Sequence, residues 1–155
     1  MYELKIIRER RPGYGHRRQF RDAQSVYESF RERFEQADRE EFVVLLLNAK
    51  NQLLGFNVIS VGSLTSSLVH PREVFKAAIV GNAAAIILIH NHPSGDPQPS
   101  AEDLSITTRL CQVGEVMGVR VLDHVVIGEG RYVSFVDEGL MQRSASITSQ
   151  EGGNR

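Results

Sequence analysis

The chain has 155 residues, 41% of them hydrophobic and 24% charged, a formal net charge of −1 and one cysteine. That is enough apolar material for a single core of ordinary domain size, and it leaves no global charge bias toward nucleic acid or a membrane surface. One cysteine excludes an internal disulfide, and no run of about 18 or more apolar residues offers a membrane-spanning helix.

Residues 1–21 carry Lys5, Arg8, Arg10, Arg11, Arg17, Arg18 and Arg21 against Glu3 and Glu9, a local balance of +5 in a chain of −1. The segment reads as a basic N-terminal arm, with residues 4–7 as an edge strand inside it. No recognisable nucleic-acid-binding motif accompanies the charge, so a solvated or protein-docking arm is the first reading and nucleic acid the alternative. The start Met1-Tyr2-Glu3-Leu4-Lys5 is not signal-like, and a cytoplasmic protein is expected.

The domain proper is expected over 22–141. Val26, Phe30 and Phe34 recur four apart and predict a helix over 22–36. The apolar runs 42–47 and 53–61 flank Ala49-Lys50-Asn51-Gln52 and predict an antiparallel hairpin. Pro71 opens a helix to Gly81, with Glu73 in its first turn and His70 as a turn residue before it. Residues 84–89 are short, β-branched at the centre and ended by Asn/Pro/Gly punctuation, the pattern of a buried strand opening into a loop.

A long helix over 100–117 ends at Gly118. Cys111 sits in it at helical spacing from Leu104 and Thr107 and reads as a small hydrophobe rather than a reactive thiol. A strand over 119–127 turns at Gly128-Glu129-Gly130 into 132–135. The parity of Val119, Val121, Val125 and Ile127 puts His124 on the face opposite them. A hydrogen-bonded structural histidine is expected there, with a partner behind a metal ligand or a groove wall as alternatives. The polar stretch 142–155 is expected to be a disordered tail. Strands and helices interleave without strict βαβ repetition, so the expected fold is α/β, a mixed sheet sandwiched by helices.

The chemistry concentrates in 90–103. His90 and His92 share parity at the end of the buried strand, and Asp103 follows three residues after Ser100, in the first turn of the next helix. Pro93, Pro97 and Pro99 stiffen the loop between. Ser100 with an acid at the third helical position is also an ordinary helix start, and a lone histidine beside a core strand is usually structural. Together, two imidazoles and one carboxylate make three ligands with a fourth position left for water, the arrangement of a catalytic zinc site. Asp96 is a competing oxygen ligand, ranked lower because a mid-loop Asp most often caps a turn.

The spacing His90-x-His92, seven residues, Ser100, two residues, Asp103 resembles the zinc signature of the JAMM (JAB/MPN) metalloproteases, and His-Asn-His-Pro-Ser-Gly resembles its RadC branch. The likeness runs from about residue 20 to 141, through Val69-His70-Pro71-Arg72-Glu73-Val74-Phe75-Lys76 and Val121-Leu122-Asp123-His124. It implies a JAB/MPN, cytidine-deaminase-like architecture, a zinc ion held by His90, His92 and Asp103, and an upstream glutamate before an apolar strand as general base. The register of the match assigns that base to Glu41 rather than Glu40, with Glu73 as a second candidate. Two features differ from the wider family. Asn91 stands where JAMM proteases usually carry Ser or Thr, as RadC-like proteins do, and the segment before Arg21 is too short for the helix-hairpin-helix region of full-length RadC proteins.

The expected function is therefore zinc-dependent hydrolysis of an amide bond in a peptide or protein substrate, as a metallopeptidase or isopeptidase. Glu41 would take the water proton and Ser100 donate to the oxyanion. Three other classes share some of these features. A deaminase needs a Pro-Cys-x-x-Cys segment that one cysteine cannot supply. A DNA-associated protein or metal-dependent nuclease would draw on the basic arm. A non-catalytic module would be expected to have lost ligands, and all are present.

Overall fold

The computed structural model describes residues 18–62 and 69–141. The edge strand expected over 4–7, most of the basic segment and the stretch from 142 onward lie outside the described residues.

Glu41–Leu47 (β1) and Leu53–Val61 (β2) form the antiparallel hairpin, with the bridge Gln19↔Gln52 beside its turn. Ala85–Asn91 (β3) pairs antiparallel with β1, Arg120–Ile127 (β4) runs parallel to β3, and Tyr132–Ser134 (β5) returns antiparallel to β4. The result is a five-stranded mixed sheet of order β2-β1-β3-β4-β5. Among the described residues three helices cover it: Ala23–Glu35 (α1), Pro71–Val80 (α2) and Ala101–Met117 (α3).

The apolar runs of β1 and β3 lack alternation because both faces of the central strands are covered. Val43, Leu45, Leu47, Ile87 and Ile89 meet Val26, Phe30 and Phe34 of α1 on one side. Phe42, Val44, Leu46, Ile86 and Leu88 meet Val74 and Phe75 of α2 and Ile106 and Leu110 of α3 on the other. Each such side chain contributes about 1.5–3 kcal/mol of burial free energy, so the two layers supply most of what opposes the chain's conformational entropy.

The helices start where local chemistry dictates. Asp22 caps α1 by accepting from the Ser25 N–H at 2.8 Å. Pro71 occupies the first turn of α2, where a missing N–H costs nothing. Ser100 and Asp103 close a reciprocal capping box on α3, and Gly118 ends that helix at φ 68°, a left-handed conformation that costs glycine little.

Two expectations are corrected. Phe20, assigned to the arm, is buried in the α1-side core, and Arg18 and Phe20 bond to Leu53 and Asn51 across the hairpin turn, so the domain body begins before residue 22. The uniform parity of the fourth strand also fails. Ile86 faces Val121 but Ile87 faces Asp123, so Leu122 is an extra residue in β4. The bulge switches faces: Val119 and Val121 pack on the α2/α3 side, Val125 and Ile127 on the α1 side. His124, opposite Leu88, thereby lies on the α2/α3 side, the side of Val119 and Val121.

Candidate metal centre

His90 is the penultimate residue of β3 and is fully buried, its ring stacked on Phe42 of the neighbouring strand at 5.9 Å. His92 lies just past the strand but stays in line with it because its N–H donates to the Ile127 carbonyl at 2.8 Å. The loop that follows folds back tightly. Gly95 adopts φ +83°, its N–H returns to the His92 carbonyl, and its own carbonyl accepts from Glu129 N–H at 2.9 Å. A Cβ on Gly128 would stand 2.3 Å from that Gly95 carbonyl and 2.9 Å from Pro97 N, so this close approach requires glycine. The capping box then aims Asp103, 3% exposed, back at the histidines.

Three sequence-predicted ligands are thereby brought together. His90 Nε2 lies 2.9 Å from His92 Nε2 and 3.2 Å from Asp103 Oδ1, and His92 Nε2 lies 3.4 Å from Asp103 Oδ2. Bonds of about 2.0–2.1 Å at tetrahedral angles set ligand atoms roughly 3.3 Å apart, so the spacing suits a small divalent ion. Donor chemistry agrees. His92 Nδ1 lies 2.7 Å from the Asp96 carbonyl, which only accepts, so Nδ1 carries a proton and in the neutral ring Nε2 presents a lone pair. Lone pairs of nitrogen and carboxylate oxygen that converge within hydrogen-bond distance repel one another unless a cation or a proton lies between them.

The titration behaviour follows from this crowding. The hydrogen bond to Asp103 raises the His92 pKa against the opposing effect of burial, with the Asp96 carbonyl adding to it. Burial by itself would lift Asp103, but hydrogen bonds from His90 and His92 outweigh it and hold the carboxyl far below the usual carboxylate range. Behind His90, the fully buried His124 is held well below 6.5 by desolvation first and by the neighbouring His90 second.

The glutamate assignment is corrected by register. Phe42 pairs with His90, so even-numbered positions of β1 face the metal-ligand side and odd ones face α1. Glu41 accordingly points to α1, where Arg33 binds its carboxylate at 2.6 Å. Glu40 stands instead at the site: its Oε1 is 3.9 Å from His92 Nε2, and ligand atoms of Glu40, His90 and His92 all lie within 4.8 Å of one another. Two overlapping ligand sets share the histidines, one completed by Asp103 and one by Glu40. The Asp103 contacts are the shorter ones and Asp103 is the more deeply buried carboxylate, while Glu40 stands farther from His92. Glu73 is spent on Lys76 and Arg72 at the surface of α2.

Ser100 also departs from expectation. Its hydroxyl donates to Asp103 Oδ2 at 2.7 Å while accepting from Asp103 N–H at 3.1 Å. A hydroxyl has one proton, and here it is given to the Asp103 carboxylate. Asp96 contributes its carbonyl to His92 and its carboxylate to Arg131 at 3.5 Å, outside the ligand cluster. His70 is an exposed turn residue without a side-chain cap bond, and Cys111 is half-buried with its thiol pKa raised by desolvation.

Asn91 is a site residue that sequence reasoning noted only as a departure from the wider family. Buried at the end of β3, it accepts from Glu41 N–H at 2.7 Å and donates to the Arg39 carbonyl at 3.0 Å. Its amide thus continues the β1–β3 ladder with side-chain atoms and pins the backbone on both sides of Glu40. A groove of about 390 Å³ opens beside His92, lined among others by Phe34, Asn91, Ile127 and Gly128.

Comparison with known proteins gives a consistent picture. The sequence model of the family described as "RadC-like JAB domain" matches residues 20–140. The chain is 56% identical over 118 residues to a UPF0758 protein of Syntrophotalea carbinolica, covering 76% of this chain and 52% of that one. It is 48% identical over 143 residues to a UPF0758 protein of Geotalea uraniireducens (89% and 63%) and 59% identical over 104 residues to one of Desulfitobacterium hafniense (67% and 46%). The chain spans about half the length of these curated relatives.

Proposed function

The chain belongs to the RadC-like JAB domain family, and from that premise we propose that it is a zinc-dependent hydrolase that cleaves an amide bond, as a peptidase or isopeptidase. The observation that carries this reading is the convergence of His90 Nε2, His92 Nε2 and the Asp103 carboxylate within 3.4 Å, with the Glu40 carboxylate beside them. Zinc bound there would supply Lewis acidity and bring a water within reach of ionisation near neutral pH.

The rest falls to the chain's own residues. Glu40 accepts the proton of the attacking water and delivers it to the leaving nitrogen, a general acid–base role worth roughly 100- to 10,000-fold. Ser100 and the capping box hold Asp103 against the histidines. Asn91 fixes the backbone that carries Glu40, and the groove beside His92 receives the substrate chain. A screen of peptide and isopeptide substrates with the zinc-loaded protein tests the reading, and zinc-dependent cleavage of neither class would overturn it.

Zinc affinity should also depend on pH in a defined direction. Zinc requires His92 unprotonated, and His92 starts with a raised pKa. Apparent affinity should therefore begin to fall, about tenfold per pH unit, at a pH above the ordinary histidine value near 6.5. Asp103 adds nothing in this range, because its carboxyl stays ionised to far lower pH. Competition titration against a chromophoric chelator between pH 6 and 9 checks this, and a flat profile down to pH 6.5 would contradict it.

A further inference from the structure

His124 is fully buried between the rings of Phe135, stacked at 4.7 Å, and Phe42, edge-on at 5.4 Å. Its two nitrogens have one neighbour each. Nδ1 is 2.6 Å from Thr107 Oγ1, and Nε2 is 2.8 Å from His90 Nδ1. Thr107 Oγ1 in turn lies 2.6 Å from the Asp103 carbonyl.

The proton positions follow in order. A carbonyl only accepts, so the single Thr107 proton goes to Asp103 O. Thr107 Oγ1 can then only accept from His124, which places a proton on His124 Nδ1. Neither nitrogen of His124 contacts a carboxylate, and phenyl rings pack on it, so the ring is neutral. Its Nε2 is therefore bare and accepts from His90 Nδ1–H. In the neutral form of His90, the one that can bind a metal, the ring proton is then on Nδ1, and Nε2 presents its lone pair toward His92 Nε2 and Asp103 Oδ1. The relay begins on the backbone of one ligand and ends on the ring of another, so it ties β3, β4 and α3 into one rigid unit.

We propose that Thr107 and His124 are positioning residues that hold the metal ligand His90 in its Nδ1–H tautomer and fix its ring orientation, so that Nε2 is preformed for a divalent ion. The inference rests on the metal-site reading above and adds two residues that touch neither metal nor substrate. Partners of this kind typically change metal affinity roughly 10- to 100-fold when removed.

Nitrogen NMR of the histidine side chains in the zinc-free protein reads the relay without any metal or activity. The expected pattern for His124 is a protonated Nδ1 and a bare Nε2, and a protonated Nε2 would overturn the proposal, because that ring could not accept from His90. Zinc affinity by chelator competition supplies the second readout. Thr107→Val, which keeps the side-chain shape, and His124→Leu should each weaken zinc binding roughly 10- to 100-fold, whereas His124→Gln, whose amide oxygen can replace Nε2 as acceptor, should restore most of it. Wild-type affinity in Thr107→Val together with an unmoved His90 tautomer would overturn the relay. A wild-type protein that binds no zinc would sink the hydrolase reading instead, and the nitrogen shifts would still decide the relay.

Discussion

Glu40→Gln is expected to lower amide hydrolysis by roughly 100-fold or more while zinc stays bound, because the amide keeps the shape of the carboxylate and cannot take a proton. Glu41→Gln is expected to leave turnover within a few-fold of wild type. Its carboxylate faces α1 and pairs with Arg33, and a partly exposed pair of this kind contributes only about 0–1 kcal/mol to stability. The two variants are adjacent in sequence and differ in outcome solely through strand parity, so measuring kcat and zinc content side by side tests the register directly. Loss of activity in Glu41→Gln with normal turnover in Glu40→Gln would reverse the assignment.

Asp103→Asn should act on the metal rather than on the proton transfer. The asparagine oxygen can still accept from Ser100 N–H, as Asp103 Oδ2 does at 2.7 Å, so the start of α3 survives. The negative charge that two histidines and the Ser100 hydroxyl converge on is lost. Zinc affinity should fall by more than the roughly 10- to 100-fold that outer partners cost, and thermal unfolding of the zinc-free protein should move by only a few degrees. Affinity unchanged in Asp103→Asn would shift the third ligand to Glu40, the other carboxylate that shares the histidines.

Much of this architecture is legible in the residue order. The runs 42–47 and 84–89 announce two-sided burial, the four-residue spacing of Val26, Phe30 and Phe34 announces α1, and His90, His92, Ser100 and Asp103 sit at a spacing that strand and helix geometry can bring together. The missing parts share a cause. When every residue of a strand is apolar, no alternation marks its faces, so the sequence of β1 does not say whether Glu40 or Glu41 turns toward the ligands; the pairing of Phe42 with His90 decides it. The bulge at Leu122 is likewise invisible in a row of valines, yet it alone carries His124 to the face where it meets His90. Asn91 stood out as an unusual residue between two ligands, but its bonds to Arg39 and Glu41 span some fifty residues and exist only once β1 and β3 are paired.

The most direct test of the metal centre is elemental analysis of the purified chain beside the double variant His90→Ala with His92→Ala. The wild type should carry about one zinc per chain and the variant none, with far-UV circular dichroism showing that both remain folded, since the two apolar layers flanking the sheet are built from residues other than the ligands. Equal zinc in both proteins, or no bound metal in the wild type, would contradict the account.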